Sequence, residues 1–291
     1  GATIISRVVI RDLASGAAAQ RLMPHVIMIF SVAPAIAPVV GGWILTLGSW
    51  RLVFWFITVY AGVAITLTLV VLPETQPPDR RLPMRAGQVL GSLVYVARQG
   101  PLLRISLVTA LVYSAQFVYI FGAPIIMVRL LGQGEQDFWK LFFPIVGGTL
   151  LGAWLSARAS ERMTRRRLLD VGILGTLAAT SLNLALAWLA PVMPWVLIGP
   201  PLIALALGTI FPVLNLEILD SVPDRRGSAG SFGTFGYLLF NAILTAFIIP
   251  LVSGSLVQLA WCALTLLLLG AVAWIWHRNT TPSGQPDVIP S

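Results

Sequence analysis

Charge and cysteine are what this chain has least of. Only 10% of its residues are Asp, Glu, Lys or Arg, a share far below that of a water-soluble domain. One cysteine, Cys262, stands in an apolar run, so neither a disulfide framework nor a cysteine-based metal site is available within one chain. The two histidines, His25 and His277, lie at opposite ends of the sequence with no Cys, Asp or Glu at ligand spacing beside them. No metal site and no catalytic constellation are therefore expected. Gly227, Gly230, Gly233 and Gly236 recur every third residue, but the strand and lysine of a phosphate loop are missing. They read as a helix-packing surface instead.

What is abundant is apolar sequence. A mean hydropathy of +0.87 places the chain among all-α integral membrane proteins, with room for about eight to ten spans. Full spans are expected near 24–47, 51–72, 102–128, 138–158, 168–190, 195–218, 228–250 and 254–277. Residues 1–10 read as the end of a ninth helix. The formal charge of +8 does not indicate nucleic acid, because the arginines sit between apolar runs rather than along one helix face. Alternate loops carry fifteen of them, from Arg11 and Arg21 through Arg158–Arg167 to Arg278, against Arg51, Arg129 and Lys140 on the other side. That bias puts the fifteen and the C-terminus in the cytoplasm. Pro73–Arg104 is the longest hydrophilic connection and divides the chain. The expected parts are 1–72, the remainder of a first bundle; 73–101, a linker holding an interfacial amphipathic helix; 102–278, a six-helix bundle; and 279–291, a Pro/Ser-rich disordered tail.

The stretch from Phe30 to Arg51 organises the first part. Ala33, Ala37 and Gly41 make one smooth stripe at i, i+4, i+8, and Pro34, Pro38 and Gly42 make a second beside it. Small residues at this spacing admit close approach by another helix, while the prolines free carbonyls that neighbours must cover. An ordinary packing face is the plainer reading. A-P-V-V-G-G, Ala37 to Gly42, also resembles the fifth-helix antiporter signature of major facilitator superfamily exporters, with Ala33 and Ala37 where that signature usually has Gly.

Three more stretches carry the same resemblance. Gly1 to Leu13 (G-A-T-I-I-S-R-V-V-I-R-D-L) looks like the end of the fourth helix of the Bcr/CflA drug-exporter family. W-R-L-V-F-W-F…L-P-E-T, residues 50–75, resembles its sixth helix and exit. A-R-A-S-E-R-M-T-R-R-R-L-L, residues 157–169, is similar to the superfamily's cytoplasmic loop signature through Glu161, Arg162, Arg165, Arg166 and Leu169, with Ala157 and Thr164 replacing glycines. The resemblance implies two six-helix halves around a central cavity, alternating access and coupling to a proton gradient, without a bound cofactor. It also implies a partial major facilitator fold, lacking three helices and the start of a fourth; export by residues 1–291 alone is then not expected.

Polar residues inside spans are the functional candidates. Arg7 is the charge placed within a helix. Tyr113, Gln116 and Tyr119, at i, i+3, i+6, suit a flat and moderately polar ligand. Asn215 and Asn241 line a cavity or tie helices together, as does Asn183. Glu161 beside Arg162, Arg165 and Arg166 forms a charge cluster for a loop that gates, or a plain topology anchor. Glu217 and Asp220 read as gate or loop contacts. Two expectations concern packing: Ala33/Ala37/Gly41 against Gly148/Gly152/Ser156, and Tyr113, Gln116 and Asn241 facing a cavity. The leading functional reading is a monomeric, proton-coupled exporter of small drugs in the bacterial inner membrane, with a small-molecule substrate and the lipid bilayer as partners. A metabolite transporter (sugar or amino-acid derivative) and an inactive transporter remnant are the alternatives.

Overall fold

The computed structural model describes residues 36–37, 39–71 and 86–280. The chain forms two compact units, Gly1–Arg85 and Ala86–Ser291. Among the described residues, seven helices are long and apolar enough to cross a membrane.

In the first unit, residues 39–47 are helical and α1 spans Arg51–Val71. No residue of α1 is buried. Its hydroxyls are satisfied within the helix: Thr58, Thr66 and Thr68 each donate to a carbonyl one turn back at 2.8 Å. An apolar helix that closes its own hydrogen bonds suits hydrocarbon surroundings.

The second unit opens with α2 (Ala86–Ala97), followed by α3 (Gly100–Phe121), α4 (Trp139–Ser160), α5 (Arg165–Leu189), α6 (Gly199–Asp220), α7 (Arg226–Ile243) and α8 (Leu256–Thr280). The α7 rod continues through a π-helical Leu244–Ile248 to a last turn at Ile249–Val252. At 22 residues, α3 is about 33 Å long, a bilayer's hydrocarbon thickness. Its start has Pro101 in the first turn, where a missing N–H costs nothing. Thr164 caps α5, its hydroxyl accepting from the Arg167 N–H at 3.3 Å, which satisfies one of the first-turn donors.

Helix α3 is the axis of this unit. It touches α2, α6, α7 and α8, and Leu102, Ile105, Val108, Val112, Ala115 and Val118 along it are fully enclosed. Its close approach to α8 depends on Gly270, where an added Cβ would come within 2.5 Å of Val112.

The tightest pair is α4 with α6. A Cβ at Gly148 or Gly152 would strike backbone atoms of Pro201 and Leu205, and one at Gly208 would lie 2.6 Å from the Thr149 carbonyl oxygen. Gly148 and Gly152, expected to meet the Ala33 stripe, face α6 within the second unit. Ala33, Pro34 and Pro38 lie outside the described residues. Ala37 is exposed, and Gly41 has open space where a side chain would begin. The glycines of α7 divide. Gly230 and Gly233 sit on Leu219 and Ile218 of α6, while Gly227 and Gly236 face open space.

Candidate functional site

Successive helices reverse direction, so the arginine-bearing termini gather at one end of the unit. Ion pairs across that end hold it together. Asp220, at the last residue of α6, accepts from the Arg165 guanidinium at 2.8 Å and faces Arg226 at 3.1 Å. One carboxylate thus joins the end of α6 to the starts of α5 and α7. Asp170 on α5 does the same for α8, accepting from Trp274 Nε1 at 2.7 Å and from Arg278 at 2.8 Å. Helix α2 is tied down here too: Ser92 shares a hydrogen bond with Ser228 at 2.8 Å, and Arg225 lies 4.4 Å over the Tyr95 ring.

The sequence had pointed to Glu161 as the partner of Arg162 and Arg165. The structure corrects this: Glu161 and Arg162 are exposed, and the carboxylate that Arg165 meets is Asp220. Arg166 lies in the same turn. A cleft of about 190 Å³ opens beside the pair, lined by Ser156, Ser160, Arg165 and Pro212 among others.

The middle of the unit is built differently. Tyr113 of α3 stacks on Phe211 of α6, ring centres 4.1 Å apart at 17°. It also meets Phe117 edge-on at 5.4 Å and Tyr237 of α7 at 6.2 Å. Three helices therefore share one aromatic cluster. One turn further along α3 is Gln116, and one turn beyond Tyr237 is Asn241; α3 and α7, four reversals apart, run the same way. Gln116 is only 4% exposed and Asn241 only 3%. Neither amide makes a hydrogen bond: both oxygens and both nitrogens are buried without partners. The Ser114 hydroxyl is in the same condition.

Tyr119 does not join this cluster. Its hydroxyl accepts from Asn183 Nδ2 of α5 at 2.6 Å, beside a space of about 10 Å³ between α3, α5 and α8 that admits one water at most. Gly199 makes room for that Asn183 side chain. The reason is angular: six residues along a helix is about 240° around it, not a whole number of turns. Asn215 is half-buried and donates to the Phe211 carbonyl of its own helix at 2.9 Å, so its amide is spent on backbone. Arg7 lies outside the described residues. Sequence reasoning passed over Phe117, Phe211 and Tyr237; the signal available was Tyr237 four residues before Asn241 and Phe211 four before Asn215. No group of His, Cys, Asp and Glu able to hold a metal occurs among the described residues.

The sequence profile of the Major Facilitator Superfamily matches residues 1–245. The chain is 22% identical over 245 residues to the "Uncharacterized MFS-type transporter YdgK" of Bacillus subtilis, covering 83% of this chain and 61% of that protein. It is 26% identical over 263 residues to the "Multidrug resistance protein MdtM" of Salmonella typhimurium, covering 88% and 61%. Against the "Bicyclomycin resistance protein homolog" of Haemophilus influenzae it is 21% identical over 170 residues, covering 58% and 43%. The chain thus spans less than two thirds of each of these relatives.

Proposed function

This chain belongs to the Major Facilitator Superfamily, a family of transporters rather than enzymes, and from that premise we propose that it serves proton-coupled export of small drugs. The observation that carries the reading is the pair of enclosed, unpaired amides, Gln116 and Asn241, next to the Tyr113–Phe211–Tyr237 rings. A buried amide without a partner costs about 1–3 kcal/mol. A ligand that supplies the partner recovers that cost, and one with a flat ring also replaces the stacking between Tyr113 and Phe211. A sugar would call for more polar side chains than these. The names of the multidrug and bicyclomycin resistance relatives support the same substrate class.

Around this site the remaining assignments follow. Residues 102–278 form the substrate-facing bundle of a monomer in a bacterial inner membrane, with the arginine-rich end and the C-terminus in the cytoplasm. The Arg165–Asp220–Arg226 cluster closes that end in one state and parts in another. Arg7 handles substrate or proton, and the Ala33–Gly42 face provides close helix approach.

Joined to the first helices of a longer Major Facilitator Superfamily relative, the chain is expected to lower the accumulation of a planar aromatic drug in bacteria lacking their own exporters, and a protonophore should abolish the difference; residues 1–291 alone should not. Replacing Gln116 and Asn241 together by Ala should lower efflux about tenfold, the equivalent of one lost hydrogen-bonded contact. Unchanged efflux in the double variant would remove the site. Absence of any proton-dependent efflux from cells with the joined protein inserted in their membrane would remove the function.

A further inference from the structure

The corner where α3 begins and α8 ends holds an arginine that no carboxylate among the described residues neutralises. Arg104, four residues into α3, makes no ion pair among the described residues, and its Nε is buried without a hydrogen-bond partner. Its guanidinium lies over the Trp276 ring, 5.6 Å from the centre. The carboxylate of this corner, Asp170, is committed to Trp274 and Arg278. Arg104 and Arg166 both act electrostatically on His277. Leu107 on α3 and Val272 on α8 are exposed. They occupy the stretch between the Arg104–Trp276 contact and the close approach of Gly270 to Val112.

We propose that Arg104 and Trp276 seat the headgroup of an anionic phospholipid. The argument is one of depth and charge. The Arg104 guanidinium reaches back to Gly100, the first residue of a membrane-length helix, the level of the headgroups. Tryptophan rings favour that same boundary. A guanidinium is suited to phosphate by its planar set of donors, and the acyl chains then run over Leu107 and Val272. A basic, aromatic-flanked corner between spans is a recurrent form of headgroup site. The seat is separate from the Gln116–Asn241 cluster and stands whether or not the transport reading does.

The test is native mass spectrometry of the protein released from nanodiscs made of equal parts phosphatidylglycerol and phosphatidylcholine. The unaltered protein should retain phosphatidylglycerol in preference. Arg104→Gln should reduce that retention about fivefold, the effect of one surface-level cation. Arg129→Gln, which removes the same charge near the opposite end, should leave it unchanged, and Arg104→Lys should keep part of it. Equal losses in the two Gln variants would mean net charge alone is at work and would overturn the proposal. So would undiminished retention in Arg104→Gln, or phosphatidylcholine held equally well by the unaltered protein. Trp276→Leu, at an exposed position, should also weaken retention. It decides the matter should Arg104→Gln fail to elute as a folded species, and undiminished retention there overturns the proposal.

Discussion

Two regions of the second unit treat polar groups in opposite ways. At the arginine-bearing end, Asp220 and Asp170 are each answered by two donors from other helices. In the middle, the amides of Gln116 and Asn241 are answered by none. Both regions join three or more helices, so packing alone does not account for the difference. An end near water can form ion pairs at modest cost, whereas an unpaired amide in a low-dielectric interior is an expense that stability alone would remove. The polar groups of the ends thus contribute to stability, whereas the unpaired amides of the middle are arranged for something other than stability.

That contrast can be broken most forcefully through the aromatic cluster. Tyr113→Ala removes the ring stacked on Phe211 and is expected to cost about 3 kcal/mol, read as a lowered unfolding midpoint in detergent. Tyr113→Phe keeps the stack and should change stability little. If Ala and Phe behave alike, the stacking is not what holds α3, α6 and α7 together.

Next in size is Asp220→Asn, which leaves Arg165 and Arg226 facing a neutral amide. A loss of about 2 kcal/mol is expected, measured by the same unfolding assay. Glu161→Gln, at an exposed carboxylate, should stay within about 0.5 kcal/mol. Reversal of that order would restore Glu161 as the partner of the loop.

The smallest effect has the opposite sign. Gln116→Leu exchanges a buried unpaired amide for an apolar group of similar size, and should stabilise the protein by about 1 kcal/mol while weakening the binding of a planar drug. Isothermal titration beside the unfolding assay reads both quantities. A destabilised Gln116→Leu would show that the amide has a structural partner after all and would erase the contrast between middle and ends.

Much of the fold was legible in the sequence because a membrane span is a local property: twenty apolar residues between arginines need no distant information. The α4, α5, α6 and α8 segments fall within a few residues of the runs read from hydropathy, while the runs at 102–128 and 228–250 are completed beyond α3 and α7 by π-helical turns at Ile125–Leu130 and Leu244–Ile248. Partners were harder. The Gly148/Gly152 spacing announces a close neighbour without naming it, and the neighbour is α6. Glu161 was adjacent to its arginines in sequence, while the carboxylate that pairs with Arg165 comes from 55 residues away. Within the candidate site, Gln116 and Asn241 could be found as amides inside apolar helices. Tyr119 was misplaced by counting i+3 twice, and Asp170, one acidic residue in an arginine-rich turn, carried a hint that was passed over.

The glycine seam between α4 and α6 has a mechanical consequence. Where backbone lies on backbone at Gly148, Gly152 and Gly208, there are no intervening side chains to change rotamer and let one helix slide. Over that length the pair behaves as a single beam. One turn past Gly208, Pro212 lies inside the continuous α6 and removes a backbone donor there. The segment beyond it is the one that ends in Asp220. A bend at Pro212 would move the point at which α5, α6 and α7 are fastened, while leaving the beam itself in place.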